Sequence, residues 1–292
     1  MKYSSTRKLL PVVLIGLLFT TSAVGQMRRR GRALSVRPAA AKVRLVLGNP
    51  SNATADIRAR DNFLLVKPQF VLSYNDTKGG ANWVSWHLQK SDIGGVDRGD
   101  FHADPDLPAG FKRVTKADYT RTGFDRGHLC NSKDRTSSRA HNDATFSMTN
   151  ILPQRPDNNQ GPWRLLEDFG RTLARQGNEL YITAGAFGST GSITRGKVNV
   201  PKTFWKVMVV LPQGPDDLRR IDANTRAIAV CMPNTQGIRR KDWREYVTTI
   251  RNVESATGFD FLSTLPREVQ DAIETRADAE GIAPPGANPC QQ

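Results

Sequence analysis

The chain has 292 residues, 38% of them hydrophobic, with five tryptophans and a formal net charge of +14. That length and apolar content exclude wholesale disorder and leave room for one large or two small cored domains. The charge decides nothing alone, but it makes polyanions (nucleic acid, acidic glycans or anionic membrane) the natural partners of a body this basic.

At the N-terminus, Lys2, Arg7 and Lys8 precede the apolar run "LLPVVLIGLLF" (9–19), and small residues follow at Ala23 and Gly25. This is the layout of a signal peptide over 1–25, cut after Gly25. A membrane anchor needs roughly 20 apolar residues; this run is shorter and contains Pro11 and Gly16. The expected location is therefore secreted or periplasmic, with no membrane anchor. The leader carries three positive and no acidic residues, so its removal leaves +11. Residues 26–42, with "RRRGR" at Arg28–Arg32, read as a basic flexible arm. Residues 43–277 show no linker or repeat and read as one domain, and 278–292 as an irregular tail.

Strand signals follow in order. "FLLVKPQFVLSYN" (63–75) is interrupted by Pro68, which makes its first half an edge or a bend. "NWVSWHLQ" (82–89) alternates Val84, Trp86 and Leu88 against Ser85, His87 and Gln89, which predicts His87 on a polar, exposed face. "ELYITAGAF" (179–187), "FWKVMVVLP" (204–212) and "TRAIAVCMP" (225–233) are three further strands. Helices are predicted over 161–177, where Pro162 opens and Gly177 stops a stripe of Leu165, Leu166, Phe169 and Leu173. Two more are predicted over 242–258, capped by Asp242, and over 267–281. Strands and helices in no regular alternation predict an α+β fold with a central, mainly antiparallel sheet flanked by helices.

Three cysteines allow one internal pair, and an exported chain can keep it. Cys231 with Cys290, tying down the tail, is the preferred pair.

The residues that carry chemistry begin at "TGFDRGHLCNSKDR" (122–135), where His128, one of only four histidines, follows Asp125-Arg126-Gly127. In the helix over 161–177, Trp163, Glu167 and Arg171 lie four residues apart, on a face distinct from the Leu/Phe stripe. Amide-rich Asn158-Asn159 stands just before that helix, where an anion or hydrated metal can be met. Hydrolysis of a phosphodiester needs a base, positive charge on the phosphorane and a stabiliser for the leaving oxygen. His128, Asn159, Glu167 and the arginines Arg98, Arg126 and Arg171 supply each part, and Mg²⁺ can serve with few protein oxygens.

"DRGHLC", "MTNILPQ" and "NNQGPWRLLE" with an arginine four residues on, in this order and at these separations, resemble the DNA/RNA non-specific endonuclease family, the ββα-metal nucleases with a DRGH motif. The resemblance extends over about 45–265 and implies a ββα-metal active site. It implies cleavage of DNA and RNA with one Mg²⁺ (Mn²⁺ as a possible substitute), leaving 5′-phosphate ends. By the same resemblance His128 is the general base and Asn159 the direct metal ligand. Glu167 hydrogen-bonds the metal's waters, Arg98 stabilises the phosphorane, and Asn150 positions the scissile phosphate or His128. Arg126 and Arg171 are supporting phosphate-side arginines, Asp125 is a structural or orienting carboxylate and not a metal ligand, and Cys130 is a packed, unpaired thiol. The sequence departs from many relatives after the histidine, with Asn131 and Lys133 where a proline and an alanine are common.

The rival expectation is a catalytically silent nucleic-acid or polyanion binder on the same fold. Loss of His128 or Asn159 would mark it, and both are present. No Gly-x-Ser-x-Gly elbow, His-Glu-x-x-His site or P-loop occurs. His102 and His141 lack partners at zinc spacing and read as surface or hydrogen-bonding residues.

Overall fold

The computed structural model describes Met1, residues 44–282 and residues 288–291; the expected basic arm and, apart from Met1, the expected leader lie outside the described residues. Pro68 divides the first apolar stretch, because proline fixes φ and cannot donate to a ladder. Strands β1 (Phe63–Val66) and β2 (Val71–Asn75) pair antiparallel across it, and β1 is the sheet edge. There follow β3 (Gly80–Leu88), β4 (Asp125–His128), β5 (Ile151–Gln154), β6 (Asn178–Phe187), β7 (Ser192–Ile193) and β8 (Val198–Asn199). Then come β9 (Thr203–Pro212), β10 (Arg226–Pro233) and β11 (Val247–Thr248). The main sheet has seven strands in the order β1-β2-β3-β6-β9-β10-β11, antiparallel at every junction. β4–β5 and β7–β8 are separate two-stranded ladders. With helices α1 (Arg139–Thr145), α2 (Arg164–Arg175), α3 (Ile250–Thr257) and α4 (Arg267–Glu274), this is the α+β architecture expected.

Both faces of the sheet are covered, and alternation along the strands assigns side chains to them. Val84, Trp86, Ile182, Phe204, Met208 and Val230 meet Trp163 and Leu166 from the α2 side. Trp83, Tyr181, Trp205, Val207 and Ala229 meet Ile250, Val253, Phe261 and Ile273 on the other. This double burial corrects the expectation for His87. Its ring is half-buried, 4.8 Å from Tyr181, and its Nε2 lies 2.9 Å from Glu179 Oε2.

Two predicted helices are also corrected. Residues 242–258 form a short 3₁₀ turn, Trp243–Tyr246, then β11, then α3. Asp242 caps the turn through Arg244 N (3.0 Å) and Thr249 caps α3 through Asn252 N (3.1 Å). Between the caps, β-branched Val247 and Thr248 favour the ladder with Val230 and Ala229 over a helix. The last helix, predicted to run to 281, ends at Glu274.

Cys231 and Cys290 are bonded, as expected, and Cys130 is free and buried. The bond ties Pro289–Gln291 to β10 across a sequence separation of 59. By the loop-entropy argument such a closure is worth about 4 kcal/mol at most, with 2–4 typical. Cys290→Ser should therefore lower the unfolding free energy by about 2–4 kcal/mol in urea titrations. A loss below about 0.5 kcal/mol would mean the tail contributes nothing to the core.

Candidate active site

The motif Asp125–His128 is itself β4, paired with β5 so that His128 faces Ile151 and Asp125 faces Gln154. Gly127 permits this approach: a Cβ there would fall 2.6 Å from Gln154 Cβ. After β5 the chain makes a helical turn over Pro156–Asn158 and a wide turn over Asn159–Trp163, then enters α2. The helical path breaks at Gly161 (φ −102°, ψ −119°), and Pro162 follows directly. A Cβ at Gly161 would lie 2.7 Å from the Arg239 carbonyl oxygen, so only glycine fits this corner. Two strands and a helix thus converge at the motif, which is the ββα arrangement.

His128 is 7% exposed, and its Nε2 is buried without a hydrogen-bond partner. Its ring packs on Phe146 (4.9 Å, edge-on) and Phe101 (5.4 Å). Arg98, on the exposed side, places its guanidinium over Phe146 (5.1 Å) and Phe101 (5.7 Å). Arg126 lies over Phe101 from another direction (5.3 Å) and donates from Nη2 to the Lys116 carbonyl (3.1 Å). Burial, with the Arg98 charge adding to it, lowers the imidazole pKa to about 3. Both effects disfavour the protonated ring. At neutral pH the residue is an uncharged acceptor beside two arginines.

The strand bearing His128 is tied to the α2 side at both ends. At one end Asp125 Oδ2 accepts from Asn159 Nδ2 (2.8 Å) and from Gln160 Nε2 (2.8 Å), which turns the Asn159 amide oxygen away from Asp125. At the other, Asn131 Nδ2 donates to Glu167 Oε2 (2.5 Å). Glu167 is 7% exposed, and its Oε1 is buried without a hydrogen-bond donor. Burial raises its pKa, opposed by Lys206 and Arg171. His128, Asn159 and Glu167 are thus gathered around one short strand. Among the described residues no group of three His, Cys, Asp or Glu side chains is placed to hold a metal. The donors here suit a different ion: one neutral amide oxygen with a carboxylate nearby fits a hard divalent cation that keeps most of its water.

Two expected site residues have other partners. Asn150 is fully buried; its Nδ2 donates to the carbonyls of Cys130 (2.9 Å) and Thr145 (2.8 Å), and its Oδ1 accepts from Cys130 N (2.9 Å). Its amide therefore has no face for a phosphate. It clasps the backbone two residues beyond His128, which fits the second of its two expected roles, positioning His128, and not the positioning of a phosphate. Arg171 is 2% exposed, with Nη1 on Asp134 (2.7 Å) and Nη2 on Asp168 (2.5 Å). It is a buried ion-pair partner, not a phosphate contact. The face it shares with Trp163 and Glu167 is interior, whereas Leu165 of the predicted stripe is exposed.

Sequence reasoning missed Phe101 and Phe146, which wall the histidine, and Asn234, which holds the turn before Asn159. Asn234 Oδ1 accepts from Arg155 N (2.7 Å) and its Nδ2 donates to the Pro153 and Pro201 carbonyls (3.1 and 2.9 Å). It also missed Lys206, whose charge interrupts the apolar face of β9. That interruption was the available signal. Cys130 is packed and unpaired as expected, its thiol pushed up to about 12 by burial. His102 lies 3.1 Å from the Ala103 carbonyl and 3.2 Å from that of Asp143, and His141 lies 3.3 Å from Ser137 Oγ, so both are hydrogen-bonding residues.

The chain is similar to known nucleases. A nuclease of Nostoc sp. is 50% identical over 237 residues, covering 81% of this chain and 86% of the relative. Nuclease C1 of Cunninghamella echinulata is 33% identical over 71% of this chain and 84% of its own length. Human mitochondrial endonuclease G is 30% identical over 68% of this chain and 69% of that protein. The crystal structure of an EndoG/EndoGI complex superposes with a TM-score of 0.65 at 22% identity, covering 77% of this chain and 92% of that one, and so shares the fold. The model of the DNA/RNA non-specific endonucleases matches residues 51–268, and with a DRGH strand, a following amide and a helix-borne glutamate in one site, the chain belongs to that family.

Proposed function

We propose that this chain is an exported, sugar-non-specific endonuclease that hydrolyses DNA and RNA with Mg²⁺ and leaves 5′-phosphate ends. The observation that carries the reading is His128: a neutral imidazole whose Nε2 has no protein partner, beside Arg98 and Arg126. A buried acceptor without a partner is costly unless a ligand or water meets it.

The chemistry follows from the residues. The His128 imidazole takes a proton from a water attacking phosphorus; the new P–O bond forms as the bond to the 3′ oxygen breaks, and the phosphate stays on the 5′ end. Arg98 and Arg126 face the charge that develops on the equatorial oxygens. Asn150 keeps the His128 segment in register, and Asp125 aims Asn159. Asn159 Oδ1 would hold the metal, with Glu167 against its hydration shell. When bound, such a cation supplies positive charge to the leaving oxygen. Export is supported by the leader layout and by the disulfide, which persists in oxidising compartments.

The test is digestion of plasmid DNA and of RNA by residues 26–292, with Mg²⁺, with EDTA, and with Asn159→Ala in parallel. The expected result is loss of both substrates with Mg²⁺ only, and a fall of about 10²-fold or more in the variant. Substrates that stay intact yet shift on a gel would sink the catalytic reading and leave a binding protein.

A further inference from the structure

Glu167 has a polar neighbour at each oxygen, a hydrogen-bond donor at Oε2 and an ammonium at ion-pair distance from Oε1. Asn131 Nδ2 donates to Oε2 at 2.5 Å, and Lys206 Nζ stands 3.6 Å from Oε1. Neither neighbour is there by default. Lys206 lies on β9 between Phe204 and Met208, on the face that packs against α2, where alternation calls for an apolar side chain. It is 2% exposed, with its ammonium 4.0 Å from the Trp163 ring centroid and 5.6 Å from that of Trp86. Burying an ammonium costs several kcal/mol unless a carboxylate and polarisable groups receive it. Glu167 and, more distantly, Asp134 are the charges that offset it, while burial itself lowers its pKa.

Asn131 has two separable jobs. Its Oδ1 accepts from Lys133 N (2.7 Å) and so caps the 3₁₀ turn Ser132–Arg135. Its Nδ2 reaches across to Glu167. A proline at this position has no side-chain donor and could not make the second contact.

We propose that Asn131 and Lys206 are positioning residues for Glu167, each fixing one carboxylate oxygen so that its remaining lone pairs face the metal's hydration shell. This rests on the role given above to Glu167. A carboxylate with a free χ3 would lose that orientation, and partners of this kind are worth about 10–100-fold in metal affinity or activity.

The two jobs of Asn131 make the test clean. Asn131→Ser keeps an N-cap acceptor but cannot reach Glu167; Asn131→Asp keeps the cap and sets a like charge against it. The measurements are thermal unfolding, Mn²⁺ affinity by electron paramagnetic resonance, and kcat and KM on DNA, with Glu167→Gln alongside. Expected for Asn131→Ser are a melting temperature near that of the parent, Mn²⁺ binding weakened about 10-fold, kcat down about 10–100-fold and KM within twofold. Asn131→Asp should fall further in both. Parental Mn²⁺ affinity and kcat in Asn131→Ser would overturn the proposal, as would equal losses from Asn131→Ser in the presence and absence of the Glu167 carboxylate. If Glu167→Gln itself keeps parental affinity and kcat, the reading of Glu167 fails; if only the Asn131 variants do, the positioning role fails. Lys206→Met should lower kcat and Mn²⁺ affinity in the same direction, with some stability lost because the site is buried.

Discussion

His128→Ala should lower kcat on plasmid DNA by about 10²–10⁴-fold, the range for loss of a general base. The side chain is walled by Phe101 and Phe146 and makes no hydrogen bond through Nε2, so its removal breaks no network there. Substrate affinity in EDTA, measured by fluorescence anisotropy, should stay within about threefold, because Arg98 and Arg126 remain. Activity within threefold of the parent would remove His128 from the mechanism.

The same burial sets a pH dependence. The folded imidazole titrates near 3, whereas an unperturbed histidine titrates near 6.5. Between those values the unfolded chain binds a proton that the folded chain refuses, so stability is full above about 6.5 and declines as pH falls toward 3. His128→Ala should reduce that decline. The acid limb of kcat/KM, which reports the free enzyme, should also lie well below 6.5. A limb centred at 6.5 would mean the histidine is solvated, contrary to its 7% exposure.

The second large effect is on stability. Arg171→Met should cost about 3–5 kcal/mol in unfolding free energy, the penalty for leaving a buried partner charge uncompensated. Asp134 is 3% exposed and would keep only the Trp86 Nε1 donor at 3.1 Å. Arg171→Lys should recover part of this, since the charge returns but the forked contact to Asp134 and Asp168 does not. Measured where the variants are still folded, the KM for DNA and the salt dependence of binding should be unchanged. A phosphate-contacting arginine behaves in the opposite way: its loss lowers the salt slope by about one and leaves stability nearly intact. Urea titration together with a salt series on one protein preparation separates the two roles.

Much of the site was legible in the sequence because its parts are local signals. The order of DRGH, the amide pair and the Glu-bearing helix needs no tertiary information to be recognised. The positions of β1, β2, β3, β6, β9 and β10 were legible for the same reason, since alternation and Pro68 act within a few residues, whereas β4, β5, β7, β8 and β11 were not predicted. The Cys231–Cys290 pair was preferred correctly, although spacing alone left other pairings open.

Legible from the residues alone, therefore, were the family, six of the seven strands of the main sheet and the chemical inventory: a histidine, an amide, a carboxylate and arginines in a fitting order. Packing set which of these are closed into buried ion pairs and which stand beside the histidine. Arg171 and Arg126 are both arginines near a motif. One meets Asp134 at a separation of 37 residues and is buried, while the other lies over Phe101 beside the histidine. The grip of Asn131 on Glu167, the clasp of Asn150 on Cys130, the pairing of Val247 with Val230 and the burial of Lys206 under Trp163 likewise depend on segments remote in sequence. Helical and strand periodicity report on neighbours within about two turns. A charge's role is set by which distant group removes its water, and that is known only once the sheet, the β4–β5 ladder and α2 are packed together.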